Sequence, residues 1–82
     1  SINTNDFSIY PNPAKNELHI LNTKNTNPYS ISLYSFQGKL IFESSKTSEI
    51  KTILNTSILP AGIYFLNIKT EQNVFVEKII VN

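Results

Sequence analysis

The groups available for acid–base work in this 82-residue chain are few: His19, Asp6 and the glutamates Glu17, Glu43, Glu49, Glu71 and Glu77. A Ser–His–Asp relay assembled from His19, Asp6 and a serine would also need a nucleophile on a strained turn and donors for an oxyanion. No motif in the chain supplies either. His19 sits between Leu18 and Ile20 in an alternating run; if those two face a core, His19 faces the other way, as an ordinary surface residue. Paired carboxylates for glycoside hydrolysis need a cleft that separates and shelters them. The five glutamates are instead scattered near turns and segment ends, where solvated carboxylates sit. Calcium needs clustered oxygen ligands, and Asp6 has no acidic neighbour in sequence. With no cysteine there is neither a thiolate metal site nor a disulfide. The inventory predicts a protein that is not an enzyme and has no metal or cofactor.

Aromatic faces bind sugar rings, so Tyr10, Tyr29, Tyr34 and Tyr64 are each candidates for such a platform. Tyr29 alternates in step with Ile31 and Leu33 and is expected in the core. Tyr64 has a structural reason given below. Tyr34 and Phe36 point away from the Tyr29 set and form the exposed aromatic pair, the ligand platform of an alternative reading as a carbohydrate-binding or adhesion module. Asn55-Thr56-Ser57 fits the glycosylation pattern, but such triplets arise readily in an Asn- and Ser-rich chain.

The elements that would carry these residues are strands. Phe7 and Ile9 alternate with Ser8 until Pro11 and Pro13 end the run and bar it from the middle of a sheet. Leu18–Ile20, Tyr29–Leu33, Leu40–Phe42, Ile50–Leu54, Ile63–Lys69 and Val74–Val81 follow, and helical spacing never persists. Phe36-Gln37-Gly38-Lys39 reads as a tight turn with Gly38 as its left-handed residue; residues 24–28 and 43–49 read as polar loops. Leu59-Pro60-Ala61-Gly62-Ile63-Tyr64 places a Pro-Ala-Gly turn just before a strand with an early tyrosine. In immunoglobulin-like sandwiches such a tyrosine returns its hydroxyl to a backbone group a few residues upstream, pinning the corner between the sheets. Leu66, two residues on, stands where antibody domains carry their second cysteine. About seven short strands with frequent turns predict an all-β, immunoglobulin-like antiparallel sandwich.

Composition narrows the partners. The chain has a formal net charge of +1, built from Lys with no Arg. Nucleic-acid binders show a basic stripe and favour Arg, so nucleic acid is not expected. No apolar run approaches the ~20 residues of a membrane-spanning helix. Residues 1–6 lack the basic start and apolar stretch of an export signal. The chain has no Met at all, and it is expected to be a piece of a longer protein with Val81-Asn82 as its natural end. Exposed strand edges make an edge-strand dimer in crystals an expectation.

Four separated stretches carry a family resemblance: Phe7-Ser8-Ile9-Tyr10-Pro11-Asn12-Pro13-Ala14 with Leu18-His19-Ile20; Ile31–Ile41 around Gly38-Lys39; Leu59–Leu66; and Lys78-Ile79-Ile80-Val81. In this order and spacing the chain resembles the type A C-terminal sorting domain of Bacteroidota proteins exported by the type IX (Por) secretion system. The likeness covers residues 6–82, leaving 1–5 as a linker remnant. It implies a non-catalytic secretion signal that directs its cargo through the periplasm and across the outer membrane to the cell surface or beyond. The implied partners are the outer-membrane translocon and shuttle barrel, and a sortase-like protease cutting near the N-terminal linker. The recognition residues it implies are Pro11, Asn12 and Pro13; Gly38 and Lys39; Pro60, Ala61, Gly62 and Tyr64; and Lys78, Ile79, Ile80 and Val81. Relatives often place Asp or Asn before the Gly-Lys pair, where this chain has Ser35, Phe36 and Gln37. The last strand, if at a sheet edge, would offer unpaired backbone groups for strand addition.

Overall fold

Alternation in the sequence becomes seven strands in the computed structural model, which describes residues 7–23 and 28–82. They are β1 (Phe7–Tyr10), β2 (Glu17–Asn22), β3 (Tyr29–Ser35), β4 (Leu40–Glu43), β5 (Lys51–Asn55), β6 (Gly62–Thr70) and β7 (Val74–Val81). A three-stranded sheet, β1-β2-β5, faces a four-stranded sheet, β4-β3-β6-β7. Every strand pairing is antiparallel. This is the sandwich expected from the sequence. Asp6, the linker at 1–5 and the loop residues 24–27 lie outside the described residues.

Period-two patterning fixes which side chains meet between the sheets. Leu18 and Ile20 from β2 oppose Tyr29, Ile31 and Leu33 from β3, Tyr64, Leu66 and Ile68 from β6, and Ile79 and Val81 from β7. Each fully buried aliphatic contributes about 1.5–3 kcal/mol relative to exposure, and a one-residue slip of any strand would turn its whole set outward. Phe7 closes one end, its ring edge-on to Tyr29 at 5.1 Å and to Phe75 at 5.9 Å. Tyr29 is wholly buried, and its hydroxyl donates to Glu49 O at 2.7 Å and lies 2.8 Å from Thr52 Oγ1. These bonds remove the penalty of burying a phenol.

The stretch 43–49, expected as a free loop, is partly a strand substitute. Ser44 N donates to Ile31 O at 2.8 Å, and Ile31 N donates to Ser44 Oγ at 3.0 Å. Thr47 and Tyr29 exchange both backbone bonds, at 2.8 and 2.9 Å. β3 extends beyond β4, so its Tyr29 and Ile31 backbone groups would otherwise be orphaned on that side. Polar composition concealed this pairing.

Candidate functional site

The strand register gathers part of each of the four stretches, Pro11–Ala14, Gly38-Lys39, Pro60–Tyr64 and Lys78–Val81, at one end of the sandwich. Ser35, entering the β3–β4 turn, pairs with Tyr64. On β6, Tyr64 and Gly62 pair with Ile79 and Val81 of β7, and Ala14 bridges to Val81. Phe7, where residues 1–6 join, lies at the opposite end beside Tyr29 and Phe75. The principal extents are 31 × 21 × 21 Å, so the motif end and the N-terminal end are separated along a sandwich of that size.

The corner forms as the sequence predicts. Tyr64 Oη donates to Pro60 O at 2.6 Å, four residues upstream, and the ring is buried. The hairpin is a three-residue loop, with Gly38 N donating to Ser35 O at 2.9 Å and Ser35 N to Lys39 O at 2.8 Å. Gly38 has φ +91°, and a Cβ there would meet nothing within 4 Å. The glycine is therefore required by backbone conformation rather than by space. Ser35 Oγ accepts from Lys39 N at 3.2 Å, doing in this hairpin what a short Asp or Asn side chain does in others. An open cleft of about 350 Å³ separates hairpin from corner, lined among others by Phe36, Lys39, Pro60, Gly62 and Tyr64.

Pro11-Asn12-Pro13-Ala14 and Lys78–Val81 form one structural unit. Both peptides preceding the prolines are cis. Asn12 lays its side-chain amide along β7: Nδ2 donates to Lys78 O at 2.9 Å, and Oδ1 accepts from Ile80 N at 3.0 Å. Ala14 N donates to Ile80 O, and Asn82 N donates to Ala14 O. β7 is an edge strand, as its place last in the four-stranded sheet requires, but only part of its edge is open. The even-numbered residues of β7 direct their backbone groups outward. Among the described residues, those of Val74 and Val76 and the N–H of Lys78 have no partner and stay open to an added strand.

Burial divides the motif residues into two classes. Tyr64, Ile79 and Val81 are buried, with only the edge of Tyr64 reaching the cleft; they hold the motif end in shape. Pro11, Asn12, Pro13, Gly38, Lys39, Pro60, Ala61, Gly62, Lys78 and Ile80 are exposed. On the outer face of the four-stranded sheet, Leu40, Tyr34, Phe65 and Lys78 follow one another across β4, β3, β6 and β7. Phe36 is 64% exposed and stacks on Phe65, with centroids 6.4 Å apart. Tyr34 is half-buried, so Phe36 shares its aromatic surface with Phe65, a residue the strand alternation places on the same face but which the sequence reading passed over.

The possible catalytic groups do not assemble among the described residues. His19 stacks on Tyr10, centroids 5.2 Å apart and rings 6° from parallel. Its Nε2 lies 3.3 Å from Glu17 Oε1, and its buried Nδ1 has no partner among the described residues. No group of three or more His, Asp or Glu residues is placed to hold a metal among the described residues. Asn55 Oδ1 accepts from Ser57 N at 3.0 Å and from Ser57 Oγ at 2.6 Å, which gives the Asn-Thr-Ser triplet a turn-forming role.

Among solved structures the chain is similar to a DUF3244 family protein with an immunoglobulin-like β-sandwich fold from Bacteroides vulgatus ATCC 8482. The TM-score is 0.80 and the sequences are 13% identical, over 92% of this chain and 83% of that one. At that identity the likeness establishes the fold. No curated protein matches. The family model of the secretion system C-terminal sorting domain matches residues 8–82, a span that takes in both sheets and the four stretches apart from Phe7. This chain belongs to the family of type IX secretion system C-terminal sorting domains.

Proposed function

We propose that this domain is a non-catalytic address, carried at the C-terminus of a cargo protein, that takes the cargo from the periplasm across the outer membrane to the surface or the medium. The translocon and its shuttle barrel read the exposed part of the motif end: Pro11–Pro13, Lys39, Pro60–Gly62, Lys78 and Ile80. A sortase-like protease then cuts in the linker at 1–5. The observation that carries this reading is the convergence of Pro11–Ala14, Gly38-Lys39, Pro60–Tyr64 and Lys78–Val81, one part of each family stretch, at the end opposite Phe7. A cargo joined before Phe7 would leave that end unobstructed. Neither Lys39 nor Lys78 is ion-paired to a carboxylate among the described residues, so both ammonium groups are available to an acidic partner surface.

Truncation is a poor test, because removing residues 78–82 also removes the buried Ile79 and Val81, so a damaged fold and a lost signal would read the same. Surface charge reversal is cleaner. The chain is fused behind a fluorescent protein bearing an export signal, in a bacterium with a type IX system. Surface or extracellular fluorescence is expected, and the double variant Lys39→Glu/Lys78→Glu should stay folded while its cargo accumulates in the periplasm. A wild-type fusion retained in the periplasm would refute the reading.

A further inference from the structure

The two lateral seams of the sandwich are finished differently. Between β1 and β7 the gap is filled by Ala14, fully buried, and by the Asn12 amide along β7. Between β4 and β5 it stays open as an apolar groove of about 250 Å³, lined among others by Ile41, Phe42, Ile53, Leu54 and Ile58. Ile58 is 77% exposed and Ile50, at the end of the same seam, 63%. Thr56 also lines the groove, and its buried hydroxyl has no hydrogen-bond partner among the described residues.

Ladder parity shows which backbone groups edge this seam. Asn22 N donates to Ile50 O and Thr56 N to Asn16 O, in register with the β2–β5 pairs. The even residues of 50–56 therefore bond to β2, and Lys51, Ile53 and Asn55 turn their N–H and C=O groups outward. Among the described residues these groups have no partner, and an apolar groove beside such an edge is a template for strand addition.

We propose that this seam is a homodimer interface in which β5 pairs antiparallel with β5 of a second copy, about a twofold axis through Ile53. The register is self-complementary. Lys51 comes opposite Asn55 of the other copy, Thr52 opposite Leu54, Ile50 opposite Thr56, and Ile53 meets its mate, so no like charges are opposed. The exposed Ile50 thereby reaches the groove end beside Thr56. Because the axis is normal to the sheet, the inner faces of both copies lie on one side. The three-stranded sheets join into a six-stranded one, and the two β4 edges, with Ile41 and Phe42, come together over it. Ile41, Phe42, Ile50, Ile53 and Ile58 expose on the order of 500 Å² per copy, the size of the largest apolar patch on a typical monomer. With the paired backbone this approaches the ~800 Å² per partner of a specific interface. The inference does not depend on the sorting role.

Sedimentation of the whole chain from ~10 μM to ~1 mM, the weak end of the affinity range, should show a monomer–dimer equilibrium. Ile53→Pro removes only an outward N–H, leaves the β2 ladder intact, and should weaken dimerisation at least ~10-fold. Ile53→Lys and Ile53→Glu, each monomeric alone because like charges meet on the axis, should form a heterodimer when mixed; this pair carries the test if the proline variant fails to fold. Val76→Pro, on the free edge of β7, should leave dimerisation unchanged. A wild-type chain that is monomeric throughout, a dimer that survives the Ile53 variants, or one lost only in Val76→Pro would overturn the proposal.

Discussion

The β1/β7 seam and the β4/β5 seam are bounded by the same kind of element, an edge strand of each sheet, yet the chain closes one and leaves the other open. On the closed side the segment after β1 crosses to β7, inserts Ala14 between the sheets and borrows the Asn12 amide as a substitute for a strand's backbone. On the open side the crossing from β4 to β5 spends its hydrogen bonds on β3, through Ser44 and Thr47. Nothing is left to plug the gap beside Phe42 and Ile53. A sandwich thus needs more than paired strands; its flanks need connections that bring an apolar plug and backbone partners together.

Five substitutions test that difference. The largest effect is expected for Phe7→Ala, which empties the end of the closed seam against Tyr29 and Phe75 and should cost about 3–5 kcal/mol in denaturant unfolding. A domain of this length has on the order of 4–12 kcal/mol in all. The matching change Phe42→Ala, on the 42%-exposed ring of the open seam, should cost about 1–2 kcal/mol, less than half of the Phe7 effect. Ala14→Leu forces extra methylenes into the filled seam and should destabilise by about 1–3 kcal/mol, where a leucine on the open side would be accommodated. Asn12→Ala removes two bonds to β7, a loss of about 1–2 kcal/mol. Hydrogen exchange should then accelerate at the Ile80 amide and not at Val76, which has no such cover. The smallest effect, with reversed sign, is expected for Thr56→Val: deleting the unpartnered hydroxyl should stabilise the monomer by up to about 1 kcal/mol in thermal melts.

Several features of the candidate surface could be read before any coordinates. Tyr64 behind Pro60-Ala61-Gly62 predicts its own hydrogen bond, because donor and acceptor lie four residues apart and the turn chemistry is local. Gly38 likewise announces a positive φ. By contrast, nothing local shows that Asn12 reaches Lys78 and Ile80, more than sixty residues away. The two prolines around it identify the end of an edge strand, but not the strand that the next residues would cover. Ile79 and Val81, which the family resemblance implies as contact residues beside Lys78, are both buried by the alternation along β7. Phe65 was missed for a related reason: its apolar neighbours concealed that strict alternation turns it outward under Phe36.

Local order alone determined the strands, their inward faces, the hairpin and the tyrosine corner, because period-two patterning and turn residues act over a few positions. Only the tertiary structure decided that parts of four distant motifs share one end, that part of the β7 edge is already occupied, and that among the described residues the β4/β5 flank is bare. Those outcomes depend on which strands become neighbours across the two sheets, and pairing between segments far apart in sequence leaves no periodic trace in either one.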